Sequence, residues 1–113
     1  YPGPIQNIIK SCDVVVLPFV HNTLEPPLTL LEVSAVGKPL VTTNIGGNKE
    51  VNPQAVFLED CSSRSLSQAI NETMHGKSKT KPVIYDWEKT ISTITNLYQE
   101  IGSSTPLNLK WLP

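Results

Sequence analysis

At 113 residues, the chain has room for one domain with a modest core. Nine basic and ten acidic residues leave a formal net charge of −1, so nothing predicts an electrostatic grip on nucleic acid or on an anionic membrane surface. Apolar residues make up 39%, somewhat low for a packed domain, and no apolar run approaches the ~20 residues of a membrane span.

The chain begins at Tyr1 with a loop-like Tyr-Pro-Gly-Pro and shows no signal-peptide pattern. It reads as a piece of a longer protein, expected in the cytoplasm. Cys12 and Cys61 have no metal-ligand spacing and read as free thiols in a reducing compartment, a disulfide being the alternative. Asn71-Glu72-Thr73 matches the glycosylation sequon. Such triplets arise often by chance, and without a secretory signal this one reads as incidental.

Ile5, Ile8 and Ile9 stand at helical spacing and predict a short helix over 5–12. Asp13-Val14-Val15-Val16-Leu17-Pro18 follows. A continuous β-branched run closed by proline predicts a strand covered on both faces, as in a parallel sheet under helices. Residues 19–23 form a loop at that strand's C-terminal end and carry His21 and Asn22.

Glu25-Pro26-Pro27-Leu28-Thr29-Leu30-Leu31-Glu32 comes next. Proline is tolerated in the first turn of a helix, where its missing N–H had no partner. The prediction is a helix from about Pro26 to Val36, stopped by Gly37. The two glutamates lie seven positions apart, and seven steps of about 100° come within roughly 20° of two full turns. If Glu25 lies near helical register, both carboxylates face one way, one at the helix mouth and one two turns in. A helix mouth offers free N–H groups and a positive dipole end, which suits phosphate. Carboxylates suit sugar hydroxyls.

Residues 39–43 read as a second strand, completing a right-handed βαβ unit. Asn44-Ile45-Gly46-Gly47-Asn48 is a tight loop, followed by a brief turn over 49–51 and a third strand over 55–58. An amphipathic helix is predicted over 65–74, closed by His75-Gly76, with a basic loop over 77–81. Asp86 is placed to cap a last helix over 87–101, whose stripe is Trp87, Ile91, Ile94, Leu97, Tyr98 and Ile101. Gly102 is its expected stop, and Trp87 is expected in the core or as the helix anchor. Residues 103–113 form a tail without period, in which Trp111 is a candidate for docking on a neighbouring domain. The fold class is α/β, a partial doubly wound parallel sheet. Such sheets bind ligands outside the C-terminal ends of their strands. The loops over 19–25 and 44–48 both belong there.

Three blocks in this order resemble one known family: Cys-Asp-Val-Val-Val-Leu-Pro at 12–18, Glu-Pro-Pro-Leu-Thr-Leu-Leu-Glu-Val-Ser-Ala-Val-Gly-Lys-Pro-Leu-Val at 25–41, and Gly-Gly-Asn-Lys-Glu at 46–50. Together they resemble the C-terminal domain of retaining glycosyltransferases of family four. The likeness covers roughly residues 1–101, including Tyr85-Asp86-Trp87-Glu88 and Leu97-Tyr98. It implies the B-type fold of two Rossmann-like domains, with residues 1–102 the nucleotide-sugar-binding part and 103–113 the tail. It also implies a nucleoside-diphosphate sugar as donor substrate, retention at the anomeric carbon, and no cofactor or obligatory metal. The acceptor-binding N-terminal domain would belong to the parent, which in many relatives sits at a membrane face.

Carried across position by position, the resemblance gives Glu25 the hydroxyls of the donor sugar and Glu32 the two ribose hydroxyls. Backbone N–H groups of Leu28 and Thr29 would face the diphosphate. Gly46 and Gly47 would line the cleft, and Gly3 resembles a glycine near the base. No residue is assigned as catalytic. The pattern departs from the family in two ways. Six residues instead of the usual seven separate the glutamates, with Pro26-Pro27 where glycines are common. The single arginine is Arg64, away from the position of the family's diphosphate-gripping cations. Simpler readings stand beside these. Glu32 reads as a solvated helix-edge carboxylate, Glu25 as a first-turn acid, Gly46-Gly47 as a plain turn, and His21, Lys38 and Lys49 as surface groups. Rival functions are a nucleotide-sugar epimerase and a degenerate, non-catalytic transferase-like binding module.

Overall fold

Three short strands form the centre: β1 (Val15–Leu17), β2 (Leu40–Thr43) and β3 (Val56–Leu58). A computed structural model describes residues 3–22, 25–76 and 80–103. The strands lie in the order β1-β2-β3, and both pairs are parallel. Val15 stands beside Leu40, and Val41 beside Val56. Parallel strands need crossovers. Here α2 (Leu28–Val36) joins β1 to β2, while α3 (Asn48–Val51), a single turn, joins β2 to β3. α1 (Ile5–Ser11) precedes the sheet, and α4 (Ser63–His75) and α5 (Trp87–Ser103) follow it.

The alternation of side chains along the strands sorts the core into two layers. Val15, Leu17 and Leu40 face Ile9 of α1, Leu30 and Val33 of α2 and Val51 of α3. Val14, Val16, Val41, Val56 and Leu58 face Leu66 and Ala69 of α4. Leu30, Val33, Leu40 and Val41 are fully buried, each stabilising the fold by roughly 1.5–3 kcal/mol relative to exposure. The continuous apolar run of β1 therefore has the expected cause: helices cover both faces. β1 itself is only half-buried, because it is an edge of the sheet.

α2 starts at Leu28, two residues after its predicted start, because Pro27 is extended with ψ 141°. Its C-terminal end matches expectation. Gly37 adopts φ +73°, and its N–H donates to the carbonyls of Val33 and Ser34, both at 3.1 Å. Only glycine enters this left-handed region without strain. α4 begins two residues early for a clear reason. Ser62 caps it by accepting from the N–H of Ser65 at 3.2 Å, and Asp60 in turn accepts from the N–H of Ser62 at 2.7 Å.

Residues 80–85, anticipated as loop in part, form a strap along the end of α2. Thr80 donates its hydroxyl proton to the carbonyl of Gly37 at 2.6 Å, and the Val83 N–H donates to Ser34 at 2.9 Å. Gln54 and Lys81 exchange two hydrogen bonds of 3.0 and 2.9 Å. The Tyr85 hydroxyl donates to the carbonyl of Val51 at 2.9 Å.

Asp86 caps α5 as anticipated, accepting from the N–H of Glu88 at 3.1 Å. The stripe on α5 does not find a core. Trp87 is 73% exposed, and Ile91, Ile94, Leu97, Tyr98 and Ile101 are exposed too. Trp87 is thus neither core nor anchor among the described residues; the period was right, but no described element packs on that stripe. The helix runs through Gly102 to Ser103, and Trp111 lies outside the described residues. Cys12 and Cys61 are free thiols, the first half-buried and the second exposed. No helix among the described residues is long and apolar enough to cross a membrane.

Candidate functional site

The loops that follow β1 and β2 meet at one end of the sheet. The backbone ladder between the two strands ends at Leu17 beside Thr42. Past it, the chains are tied by side chains. Thr42 donates to the carbonyl of Leu17 at 2.8 Å, and Thr43 donates to the carbonyl of Phe19 at 2.7 Å. Further out, the side-chain oxygen of Asn22 accepts from the N–H of Gly46 at 2.9 Å. Asn48 is buried and donates to the carbonyl of Thr43 at 3.0 Å, which holds the root of the glycine loop. The two loops predicted to meet at a crevice therefore meet.

The segment leading into α2 closes the third side. A methyl group added at Gly47 would stand 3.7 Å from Cδ of Pro26, so the proline ring borders the glycine loop directly. Gly46 has φ +52°, whereas Gly47 has the ordinary values φ −87° and ψ 12°. The tight turn therefore requires glycine at 46 but not at 47.

The mouth of α2 opens between these loops. Its N-cap residue is Pro27, whose side chain makes no cap hydrogen bond. The Leu30 N–H is taken by the carbonyl of Pro27 at 2.9 Å. The N–H groups of Leu28 and Thr29 have no acceptor among the described residues. Such groups are normally satisfied by a capping side chain, by water or by a ligand. Leu28 itself is exposed.

Glu32 is half-buried in the second turn of α2. It makes no hydrogen bond or ion pair with any described residue, although it sits among Leu31 and Val33. Glu25 lies elsewhere than predicted. It is an exposed bend residue before two prolines, and Pro27 is extended, so Glu25 is outside the helical register. The alignment of two carboxylates along one helix face therefore does not follow from α2. His21 and Lys49 are exposed, Lys38 is half-buried, and Gly3 is exposed ahead of α1. Among the described residues no His, Cys, Asp or Glu cluster could hold a metal ion.

Asn22 is the residue that sequence reading passed over. Its only signal was an amide-bearing side chain in a loop at a strand's C-terminal end. A separate cavity of about 220 Å³ lies between β3 and α4, lined by Phe57, Glu59, Gln68 and Glu72 among others. None of its lining residues is among the site residues named above.

Parallel strands under helices on both faces, with loops converging beyond the strand ends, define an α/β protein with a Rossmann-like half-sheet. Residues 2–89 match the family model described as Glycosyl transferases group 1, and the chain belongs to that family. The matched stretch contains the whole sheet, α1 to α4 and every site residue named above, and ends at the start of α5. No curated protein and no solved structure matched the chain.

Proposed function

We propose that the chain is the donor-binding portion of a retaining glycosyltransferase of family four, and that the crevice at the ends of β1 and β2 takes a nucleoside-diphosphate sugar. One observation supports this reading: the mouth of α2 presents the N–H groups of Leu28 and Thr29 without an acceptor among the described residues, beside the glycine loop. Two such groups at a positive helix end suit a diphosphate. The half-buried Glu32, with no partner among the described residues, would accept hydrogen bonds from the ribose hydroxyls. Glu25 would reach the donor sugar from the segment before the two prolines, and Gly46 and Gly47 would line the opposite wall.

In transfer, negative charge grows on the departing diphosphate. The α2 mouth would stabilise that charge in place, an electrostatic contribution set up before reaction. Glu25 and Glu32 position the donor; neither is assigned as a covalent nucleophile. No metal or cofactor is part of the reading. The acceptor site would come from an N-terminal domain of a longer parent, residues 1–102 forming the donor part and 103–113 a tail. The parent would work in the cytoplasm or on the cytoplasmic face of a membrane, and the isolated chain would be inactive.

A second reading is a non-catalytic binding module. The extended Pro27, which takes Glu25 out of helical register, favours it. Titration of the chain with UDP-, GDP- and ADP-sugars, followed through amide chemical shifts, tests the first reading. Shifts at Leu28, Thr29 and Glu32 at millimolar ligand are expected. No shift with any of the three sinks the donor-site reading. Binding without transfer by the full-length parent would select the second.

A further inference from the structure

The crevice wall is held by a tie that lies outside the regular sheet. Beyond the end of the β1–β2 ladder, the backbone turns away, the Phe19 N–H donating to Leu17 at 3.1 Å instead of across to β2. From there, among the described residues, the two segments are joined through side chains: Thr42 to Leu17, Thr43 to Phe19, and Asn22 to Gly46. The first two rungs are partly buried at the sheet's end. The third is exposed, and it links the two loops that bound the crevice.

We propose that Asn22 is a positioning residue of the donor crevice, its side-chain carbonyl holding the glycine loop at the distance from the α2 mouth that a diphosphate requires. This rests on the donor-site reading above. The residue type fits the task. Gly46 offers an N–H, so the partner must be an acceptor. Asn supplies one on a short side chain without placing a charge beside a dianionic ligand. Asp would accept the same hydrogen bond but repel the diphosphate. The tie also divides the glycine pair. The Gly46 N–H is occupied by Asn22, so Gly46 forms the wall without donating, while the Gly47 N–H has no acceptor among the described residues.

The test compares Asn22→Ala and Asn22→Asp with the unaltered chain, using UDP, GDP and ADP as probes and hydrogen exchange of the Gly46 amide as a ligand-free readout. In Asn22→Ala the Gly46 amide should exchange about three- to tenfold faster, the range expected for losing one exposed hydrogen bond, and diphosphate affinity should fall by a similar factor. In Asn22→Asp the Gly46 amide should stay protected while diphosphate affinity falls, and raising the salt concentration should restore part of it. Unchanged Gly46 exchange in Asn22→Ala overturns the tie. Faster exchange with undiminished diphosphate affinity overturns its positioning role. If the unaltered chain binds none of the three probes, the donor-site reading fails and the positioning role fails with it. The exchange result then still decides whether the tie exists.

Discussion

Alanine at Gly46 and alanine at Gly47 should act in opposite directions, although the two residues are adjacent. Gly46 holds φ +52°. A side chain in that region costs roughly 1–2 kcal/mol, offset in part by about 0.4–1 kcal/mol from a less flexible unfolded chain. Gly46→Ala should therefore destabilise by about 1 kcal/mol. At Gly47 the backbone is ordinary, and the added methyl meets only Pro26 Cδ at 3.7 Å and Cγ at 3.9 Å, normal contact distances. Gly47→Ala should leave stability unchanged or raise it by up to about 1 kcal/mol through the same unfolded-state effect. In a domain of this size 1 kcal/mol corresponds to a shift of about 4–8 °C in Tm, readable by thermal or urea unfolding of both variants. The functional consequence is the reverse. The fold has no need of a bare backbone at 47, but a ligand lying against the loop does, so Gly47→Ala should lose donor affinity at full stability. Destabilisation by Gly47→Ala of more than about 1 kcal/mol would show that the Pro26–Gly47 packing is wrong. Unaltered donor affinity in a stable Gly47→Ala variant would remove Gly47 from the site.

Gly37→Ala should cost about 3 kcal/mol, since the added methyl would stand 2.9 Å from the Pro82 ring at φ +73°; left-handed backbone contributes about 1–2 kcal/mol and overpacking about 1–3. Adding Pro82→Ala should recover the overpacking part only, and a loss below about 1 kcal/mol for the single variant in urea unfolding would refute the strap's close packing. Glu32→Gln should keep stability within about 0.5 kcal/mol and weaken nucleotide binding by about tenfold or more, the scale of a hydrogen bond to a charged group; equal loss with a 2′-deoxynucleotide probe would contradict ribose contact. Hydrogen bonds from the Ser62 side chain, then the Ser62 N–H and the Ser65 side chain, hold the Asp60 carboxyl below its usual range. The folded-state pKa is the lower one, so this contribution is complete above the ordinary Asp value of about 3.9 and disappears as pH falls through the folded value. Asp60→Asn should flatten the acid limb of the stability curve, and an unchanged limb would deny the carboxylate its part at the α4 cap.

Much of this architecture follows from local chemistry alone. The apolar run at 14–17 and the pair Leu40-Val41 alternate between two helical layers, the setting of a strand covered on both faces. Gly37 ends α2 because no other residue sits at φ +73° without strain. The Gly46-Gly47 loop and the start of α2 come to one end of the sheet because parallel strands and short crossovers leave no alternative. The helix mouth was legible for the same reason: a proline before an apolar helix cannot supply a capping side chain.

The remainder depended on groups distant in sequence. Helical spacing aligned Glu25 with Glu32, but the extended Pro27 put Glu25 outside the helix, because two consecutive prolines allow either the first turn or an extended lead, and packing of Pro26 against Gly47 accompanies the second. The period of α5 was readable, yet its stripe is exposed, since amphipathicity defines a face and not its partner. The strap over 80–85 and the Asn22–Gly46 tie join residues 24 to 49 positions apart, and nothing local encodes such pairs. By itself, the sequence determined the strands, the helix stop and the end of the sheet where the two loops meet, through side-chain period and backbone sterics. Only the tertiary structure decided which carboxylate stays in the helix, which glycine must be glycine and which amide remains open, because each depends on what the folded chain brings alongside.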